Sequence, residues 1–149
     1  MHFLNIYRRI IICLMLFSIT SNAQDLNALK WKNRILIIKA TKNNDLKFEK
    51  QLTEFKSQDN ALKERKLVLY TMNNQKLTII DYTTDTTDTS KRLSDDMMIT
   101  IFSAKNEFEV ILIGLDGSIK LRQTEVLSKE DLIAIIDAMP MRKSEIKNR

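Results

Sequence analysis

The stretch that decides the fold is "RILIIKATKNNDLKFEKQL", which runs from Arg34 to Leu52. Its first seven residues form a nearly continuous apolar run, typical of a β-strand that is buried on both faces. Its second half predicts a helix that packs on the core, because apolar residues recur at i, i+4 and i+7. These residues are Phe48, Leu52 and Phe55. Asn44 or Asp45 precedes them as a helix cap.

A second apolar strand, Lys66–Met72, follows this helix, and the spacing predicts a right-handed parallel βαβ unit. Residues Gln75–Tyr82 either continue that strand through a turn or add an edge strand, and the sequence does not choose between the two. A second helix is predicted over Ser90–Phe102, where apolar residues recur every four positions. Its methionines are expected to fill the core.

A third strand, Glu107–Gly114, leads into a hairpin turn marked by Asp116-Gly117, since glycine accepts the left-handed backbone that such turns need. The fourth strand, Ser118–Arg122, alternates, which predicts that Ile119 and Leu121 share one face. Lys120 and Arg122 should then lie on the other, solvated face. A last helix is expected over Ser128–Met139, ended by Pro140.

This order predicts an α/β fold of the thioredoxin-like type, a three-layer sandwich in which helices flank a central mixed sheet of four to five strands. In thioredoxin-like enzymes the reactive cysteine lies in the loop after the first strand. That loop is residues 40–45 here and contains no sulfur. The cis-proline expected before the third strand of such enzymes is also missing.

Residues 1–23 are predicted to be a signal peptide. Arg8 and Arg9 precede an apolar run, Ile10–Ile19, and small residues stand at Ser21 and Ala23, where a signal peptidase cleaves. The run is shorter than the roughly 20 residues of a membrane-spanning helix. An uncleaved anchor and a lipid anchor on Cys13 are the alternatives. The mature chain, residues 24–149, is then a single exported domain with a short basic C-terminal tail, periplasmic or extracellular and not integral to the membrane.

Cleavage removes both arginines, so the net charge falls from +5 to +3. This mild excess, together with export, argues against a nucleic-acid partner. Cleavage also removes His2 and Cys13, each the only residue of its type. The mature chain then has no thiol for redox or nucleophilic chemistry and no imidazole for zinc or for activating a serine. No cofactor, metal or catalytic residue is predicted.

Four stretches resemble the bacterial secreted branch of the domain-of-unknown-function family 4174, also called P-DUDES. They are "LKWKNRILII" (Leu29–Ile38), "LKERKLVL" (Leu62–Leu69), "VILIGLDGSIKLR" (Val110–Arg122) and "IDAMPMRKSE" (Ile136–Glu145). The resemblance implies a thioredoxin-like fold related to peroxiredoxins and implies export. It implies no established activity for the bacterial members.

The segment "DYTTDTTDTSKRLSDD" concentrates carboxylates between Asp81 and Asp96. It lacks the glycine turn and the spaced bidentate acid of a calcium loop. The segment is therefore interpreted as a solvated loop, in which Asp88 or Thr89 caps the following helix. A cation site there is the alternative.

Six residues are candidates for binding: Trp31, Arg34, Lys120, Arg122, Met141 and Arg142. Trp31 is expected to close the bottom of the sheet by packing, with recognition beside Arg34 as the alternative. The C-terminal segment is either a frayed basic end or a segment in which Met139 and Met141 dock on a surface while Arg142 pairs with a carboxylate or phosphate. Lys120 and Arg122 would extend that basic patch.

The sequence thus predicts an exported, non-catalytic interaction module of the cell envelope. Its partner would be an envelope or extracellular protein or an anionic ligand. The alternative is an enzyme that uses carboxylates or a metal, and thiol peroxidase chemistry is the least expected.

Overall fold

The structure is a computed structural model that describes residues 23–24, 26–42, 45–55, 59–74, 76–102 and 105–148. Residues 1–22 of the predicted signal peptide, which include His2 and Cys13, lie outside the described residues. No helix within the described ranges is long and apolar enough to span a membrane.

The described residues contain eight strands and six helices. The strands are β1 (Ala23–Gln24), β2 (Arg34–Ala40), β3 (Leu67–Asn73), β4 (Lys76–Asp81), β5 (Thr86–Asp88), β6 (Arg92–Leu93), β7 (Phe108–Ile113) and β8 (Ile119–Gln123). The helices are α1 (Leu26–Leu29), α2 (Leu46–Glu54), α3 (Asn60–Glu64), α4 (Asp95–Phe102), α5 (Lys129–Ala138) and α6 (Pro140–Lys147).

Six strands form one mixed sheet in the order β5-β4-β3-β2-β7-β8. Strands β2 and β3 are parallel, and every other pair in this sheet is antiparallel. The sheet is larger than the predicted four to five strands, because β4 pairs with β3 and β5 then adds to β4. A separate parallel pair, β1 with β6, spans the predicted cleavage point after Ala23.

The two faces of the sheet carry separate hydrophobic cores. Alternate residues of β2, such as Leu36 and Ile38, pack with helices α2, α3 and α5. The intervening residues, Ile35 and Ile37, pack with α4 through Met97 and Ile101. We call these the α5 face and the α4 face. The prediction that helices flank both faces of a central sheet is confirmed.

Helix α4 begins later than the sequence predicted. Its first residue is Asp95 rather than Ser90, and Ser94 Oγ accepts a hydrogen bond from the Met97 amide at 3.3 Å. Asp88 does not cap this helix, since its carboxylate accepts from the Ser90 amide at 2.8 Å in a local turn after β5. The capping prediction for Asp88 or Thr89 was therefore wrong.

The β7–β8 hairpin forms as predicted, with Gly117 at φ +78°. The alternation predicted for β8 was wrong, because a bulge interrupts it: Leu121 pairs with Leu112, whereas Ile119 pairs with Ile113. The extra residue is Lys120. Ile119 and Leu121 are therefore paired with residues of opposite faces.

Helix α2 starts as the sequence predicted, with Asp45 as its cap and the Asp45 carboxylate accepting from the Phe48 amide at 3.0 Å. Replacing Asp45 by alanine leaves that amide without its partner, and we expect the free energy of unfolding to fall by about 1 kcal/mol. Urea denaturation measures this loss. The exposed Glu49→Ala in the same helix is the control and should change stability by less than about 0.5 kcal/mol. Equal effects of the two variants would contradict the capping role.

Candidate functional site

Charged side chains gather at both ends of the parallel strand pair. The amino end is the end where β2 and β3 begin, and the carboxyl end is where they finish. Buried charges are costly unless they are paired and hydrogen-bonded. The partners of each charged group therefore determine which groups remain open to a ligand.

Arg34 is the first residue of β2 at the amino end and is 0% exposed. Its Nη1 donates to the Arg65 carbonyl at 2.9 Å, and both Nη atoms lie 3.3 Å from Glu145 Oε2. Burial lowers the pKa of Arg34, and the neighbouring Glu145 carboxylate opposes that shift. A guanidinium stays charged at any physiological pH, so Arg34 is a buried cation held by Glu145.

Arg142 lies on α6 and is 1% exposed. Its guanidinium contacts three carboxylates: Asp137 at 3.1 Å, Glu64 at 3.2 Å and Glu145 at 3.4 Å. Burial alone would lower the pKa of Arg142, but the hydrogen bonds to these acids outweigh it and raise the pKa. The C-terminal segment, predicted to be a basic tail, is thus a helix that begins at Pro140 and is joined to the domain by Arg142.

Arg65 completes this group, which we call the arginine cluster: Arg34, Arg65 and Arg142 with Glu64, Asp137 and Glu145. Arg65 binds Asp137 with two nitrogens, at 3.0 and 2.5 Å. Burial alone would raise the pKa of Asp137, but hydrogen bonds from Arg65 and Arg142 outweigh it and lower the pKa. Asp137 therefore remains ionised well below neutral pH.

This shift predicts an acid-dependent loss of stability. The folded pKa of Asp137 lies below its unfolded value of about 3.9. The contribution of Asp137 to the free energy of unfolding is therefore complete above this unfolded value, and it is lost as the pH falls through the folded pKa. Urea denaturation of the wild type and of Asp137→Asn at a series of pH values measures it. As the pH falls from 5 through the folded pKa, the wild type should lose more stability than Asp137→Asn. Identical pH dependences of the two proteins would contradict the prediction.

The structure brings Arg34 and Arg142 together in the interior, a pairing that the sequence did not predict. Both guanidiniums are buried and bonded to carbonyl or carboxylate groups of the domain, so neither is open to a ligand in this arrangement. The expectation that Arg142 pairs with an external carboxylate or phosphate is therefore corrected: its partners are Glu64, Asp137 and Glu145.

Trp31 is 60% exposed, so the expectation that it packs against the bottom of the sheet was wrong. It lies in the turn before β2 with φ +67°, a rare conformation for a bulky residue. The Trp31 amide donates to the Leu115 carbonyl at 2.6 Å, which fixes the turn against the β7–β8 hairpin. Met141, on α6, is 39% exposed.

Lys120 and Arg122 do not form one patch. Lys120 Nζ lies 2.7 Å from Asp116 in the hairpin, and this hydrogen bond lowers the pKa of Asp116 to about 2. Arg122 lies at the carboxyl end, where it donates to the Thr100 carbonyl at 2.5 Å and to Glu109 at 3.4 Å. The prediction of a wet outer face for Arg122 was wrong, because its guanidinium binds the last turn of α4.

The carboxyl end holds a buried ion pair that sequence reasoning missed. Lys39 and Glu109 face each other across β2 and β7, are 1% and 0% exposed, and approach to 3.2 Å. Lys39 also donates to the Ile101 carbonyl at 3.1 Å. Lys39 and Arg122 thus place two cations at the carboxyl terminus of α4, where the helix dipole favours positive charge. The sequence signal for this ion pair was a lysine within the apolar run of β2 and a glutamate within that of β7.

A cleft of about 340 Å³ opens beside this pair, at the carboxyl ends of β2 and β3. Ligands of open α/β sheets bind in such crevices. Its lining is mostly apolar and consists of Ala40, Thr41, Met72, Asn74, Met98 and Phe102. The centroid of the Phe102 ring, which lines the cleft, lies 5.4 Å from Lys39 Nζ.

Within the described ranges, no group of three or more His, Cys, Asp or Glu side chains is arranged to hold a metal ion. In the Asp81–Asp96 segment, Asp81 and Asp88 each accept hydrogen bonds from the residue two positions later, Thr83 and Ser90.

The fold and these sites define a small mixed α/β domain whose buried charges are paired at both ends of its sheet. Within that class, residues 25–145 match the family described as Domain of unknown function (DUF4174), and the chain belongs to this family. No curated protein and no solved structure matches the chain.

Proposed function

We propose that the protein is an exported, non-catalytic thioredoxin-like interaction module of the cell envelope, from the bacterial secreted branch of its family. One observation carries the proposal. From residue 14 onward the chain has neither cysteine nor histidine, and its buried charges at both ends of the sheet are paired with opposite charges. These groups stabilise the fold, which leaves surface contact as the means of action.

The strand arrangement supports the thioredoxin-like part of the proposal. The order β3-β2-β7-β8, with one parallel pair joined through helices and a closing antiparallel hairpin, is the order expected for such a domain. The loop after β2, where a reactive cysteine would lie, contains Thr41 and Lys42 instead. The Lys42 side chain is solvent-exposed and pairs with Glu107.

Four carboxylates have pKa values shifted away from what the alternative of an acid–base enzyme requires. A general acid working near neutral pH needs a raised pKa. Burial would raise the pKa of Asp59 and Asp137, but hydrogen bonds from basic side chains outweigh it and lower both values. Hydrogen bonds from Ser90 and Lys120 lower the pKa of Asp88 and Asp116. These four groups are ionised at pH 7.

Two assays on the exported protein test this proposal. Incubation with hydroperoxide and with a disulfide substrate should give no turnover, and turnover that persists on purification would contradict it. Lysine-directed crosslinking in intact envelopes should give a reproducible product whose crosslinked lysines lie on one end of the domain. Crosslinks scattered over all exposed lysines would contradict a dedicated contact surface.

A further inference from the structure

Four segments meet at the amino end of the sheet: residues 30–34, 64–66, 114–120 and 137–147. Direct contacts join them. These are the Trp31 amide to the Leu115 carbonyl at 2.6 Å, Arg34 to Glu145 at 3.3 Å, Arg142 to Glu64 at 3.2 Å and Lys66 to Glu145 at 3.5 Å. We call the surface of these segments the amino-end surface.

The amino-end surface holds the positive charge of the domain. Its four segments contain nine basic and four acidic residues, a net charge of +5. The rest of residues 24–149 contains 13 basic and 15 acidic residues, a net charge of −2. Such asymmetry creates a field that attracts a negatively charged partner to one end of the molecule.

All four acids of this surface are paired, and two of its six lysines, Lys66 and Lys120, are paired with Glu145 and Asp116. Glu64, Asp137 and Glu145 pair with the buried arginines. Four lysines are exposed, and none of them forms an ion pair within the described part of the chain: Lys30, Lys32, Lys143 and Lys147. These four ammonium groups are available to a partner.

The same segments also expose large apolar side chains. Trp31, Met141 and Ile146 are 60%, 39% and 50% exposed. The unfavourable φ of Trp31, held by the bond to Leu115, keeps the indole out of the core and places it between Lys30 and Lys32. Lys30 Nζ lies 5.6 Å from the ring centroid. Tryptophan and lysine together suit the boundary between lipid tails and headgroups.

Because the arginines are buried, the exposed lysines determine which kind of anion the amino-end surface can bind. Guanidinium forks recognise a carboxylate or phosphate of defined geometry, whereas lysine ammonium groups act as point charges. Here the arginines are internal and only lysines reach solvent. We propose that the amino-end surface docks on anionic lipid headgroups, with Trp31 entering the interface. This inference rests on the proposed function, because it requires export and action by contact.

Fluorescence of Trp31, the only tryptophan of the chain, tests the docking directly. The exported protein is mixed with vesicles of phosphatidylcholine, with or without phosphatidylglycerol. Phosphatidylglycerol vesicles should shift the emission to shorter wavelength, and lipid-borne quenchers should reduce it. Added salt should reverse both effects. Unchanged emission with phosphatidylglycerol vesicles would overturn the proposal.

Charge variants locate the surface. Neutralising Lys32, Lys143 and Lys147 to glutamine should weaken vesicle binding by roughly fivefold per lysine. The control neutralises three exposed lysines of the carboxyl end, Lys42, Lys76 and Lys105, and should leave binding within about twofold of the wild type. Equal losses in the two triple variants would overturn the assignment to the amino end.

Two further outcomes separate this inference from the proposed function. If heparin or polyglutamate binds while Trp31 emission stays unshifted and vesicles do not bind, the partner is a soluble polyanion and the lipid proposal fails. If vesicles do not bind but a specific crosslinked partner is found in envelopes, the proposed function stands and this inference alone fails.

Discussion

Arg142→Ala is expected to lower the free energy of unfolding by about 3 kcal/mol, because it removes one side of a buried ionic network. Arg142 is 1% exposed and contacts Glu64, Asp137 and Glu145. Without it, Asp137 keeps only Arg65, and Glu145 keeps Arg34 and Lys66. The contacts of α6 with Glu64, the last residue of α3, are lost as well. Urea denaturation with a constant m-value measures the change.

The neighbouring Lys143→Ala is the matched control, since Lys143 is exposed on the same helix and should change stability by less than about 0.5 kcal/mol. A loss below about 1 kcal/mol for Arg142→Ala would mean that the cluster does not hold α6. This result also decides how partner binding is tested. If an Arg142 variant loses a partner, the loss reports damage to the fold. Partner binding is therefore tested with variants of exposed residues.

Lys39→Met is expected to cost about 3–5 kcal/mol, because it leaves Glu109 buried without its cross-strand partner. Glu109 is 0% exposed and retains a hydrogen bond from Asn106 at 3.1 Å and a contact with Arg122 at 3.4 Å, which is longer than its 3.2 Å contact with Lys39. The Ile101 carbonyl in the last turn of α4 loses its donor as well. Chemical denaturation of the single variant measures the loss.

A double-mutant cycle isolates the pair. Glu109→Gln removes the charge left behind, so Lys39→Met/Glu109→Gln should be more stable than Lys39→Met alone, with a coupling free energy of about 1–3 kcal/mol. Strictly additive losses would show that Lys39 and Glu109 act independently, and that the 3.2 Å contact between them contributes nothing measurable.

The sequence predicted the elements whose signals are local. The apolar runs of β2, β3 and β7 became central strands, and Gly117 formed the turn that the Asp-Gly pair indicates. The bulge at Lys120 was not predictable, because it depends on the register between β7 and β8. The strand β5 was hidden in a polar segment whose pairing with β4 is a tertiary effect.

The candidate site was predicted in composition but not in arrangement. Arg34 and Arg142 were predicted to contact a ligand, yet they stabilise the interior. Their partners lie far away in sequence, as Glu145 does from Arg34. No local pattern reveals such pairing. Trp31 was expected to be buried because of its size, whereas the turn conformation holds it outside. The exposed charges next to it in sequence are Lys30 and Lys32, which were not among the predicted binding residues.

Action by contact alone requires that the cell export a chain without Cys13. Intact mass spectrometry of the protein recovered outside the cytoplasm measures this directly. The predicted mass corresponds to a chain that begins at Gln24 and therefore lacks His2 and Cys13. A mass that retains Cys13 would contradict the account, because a thiol would then be present and action by contact alone would no longer follow.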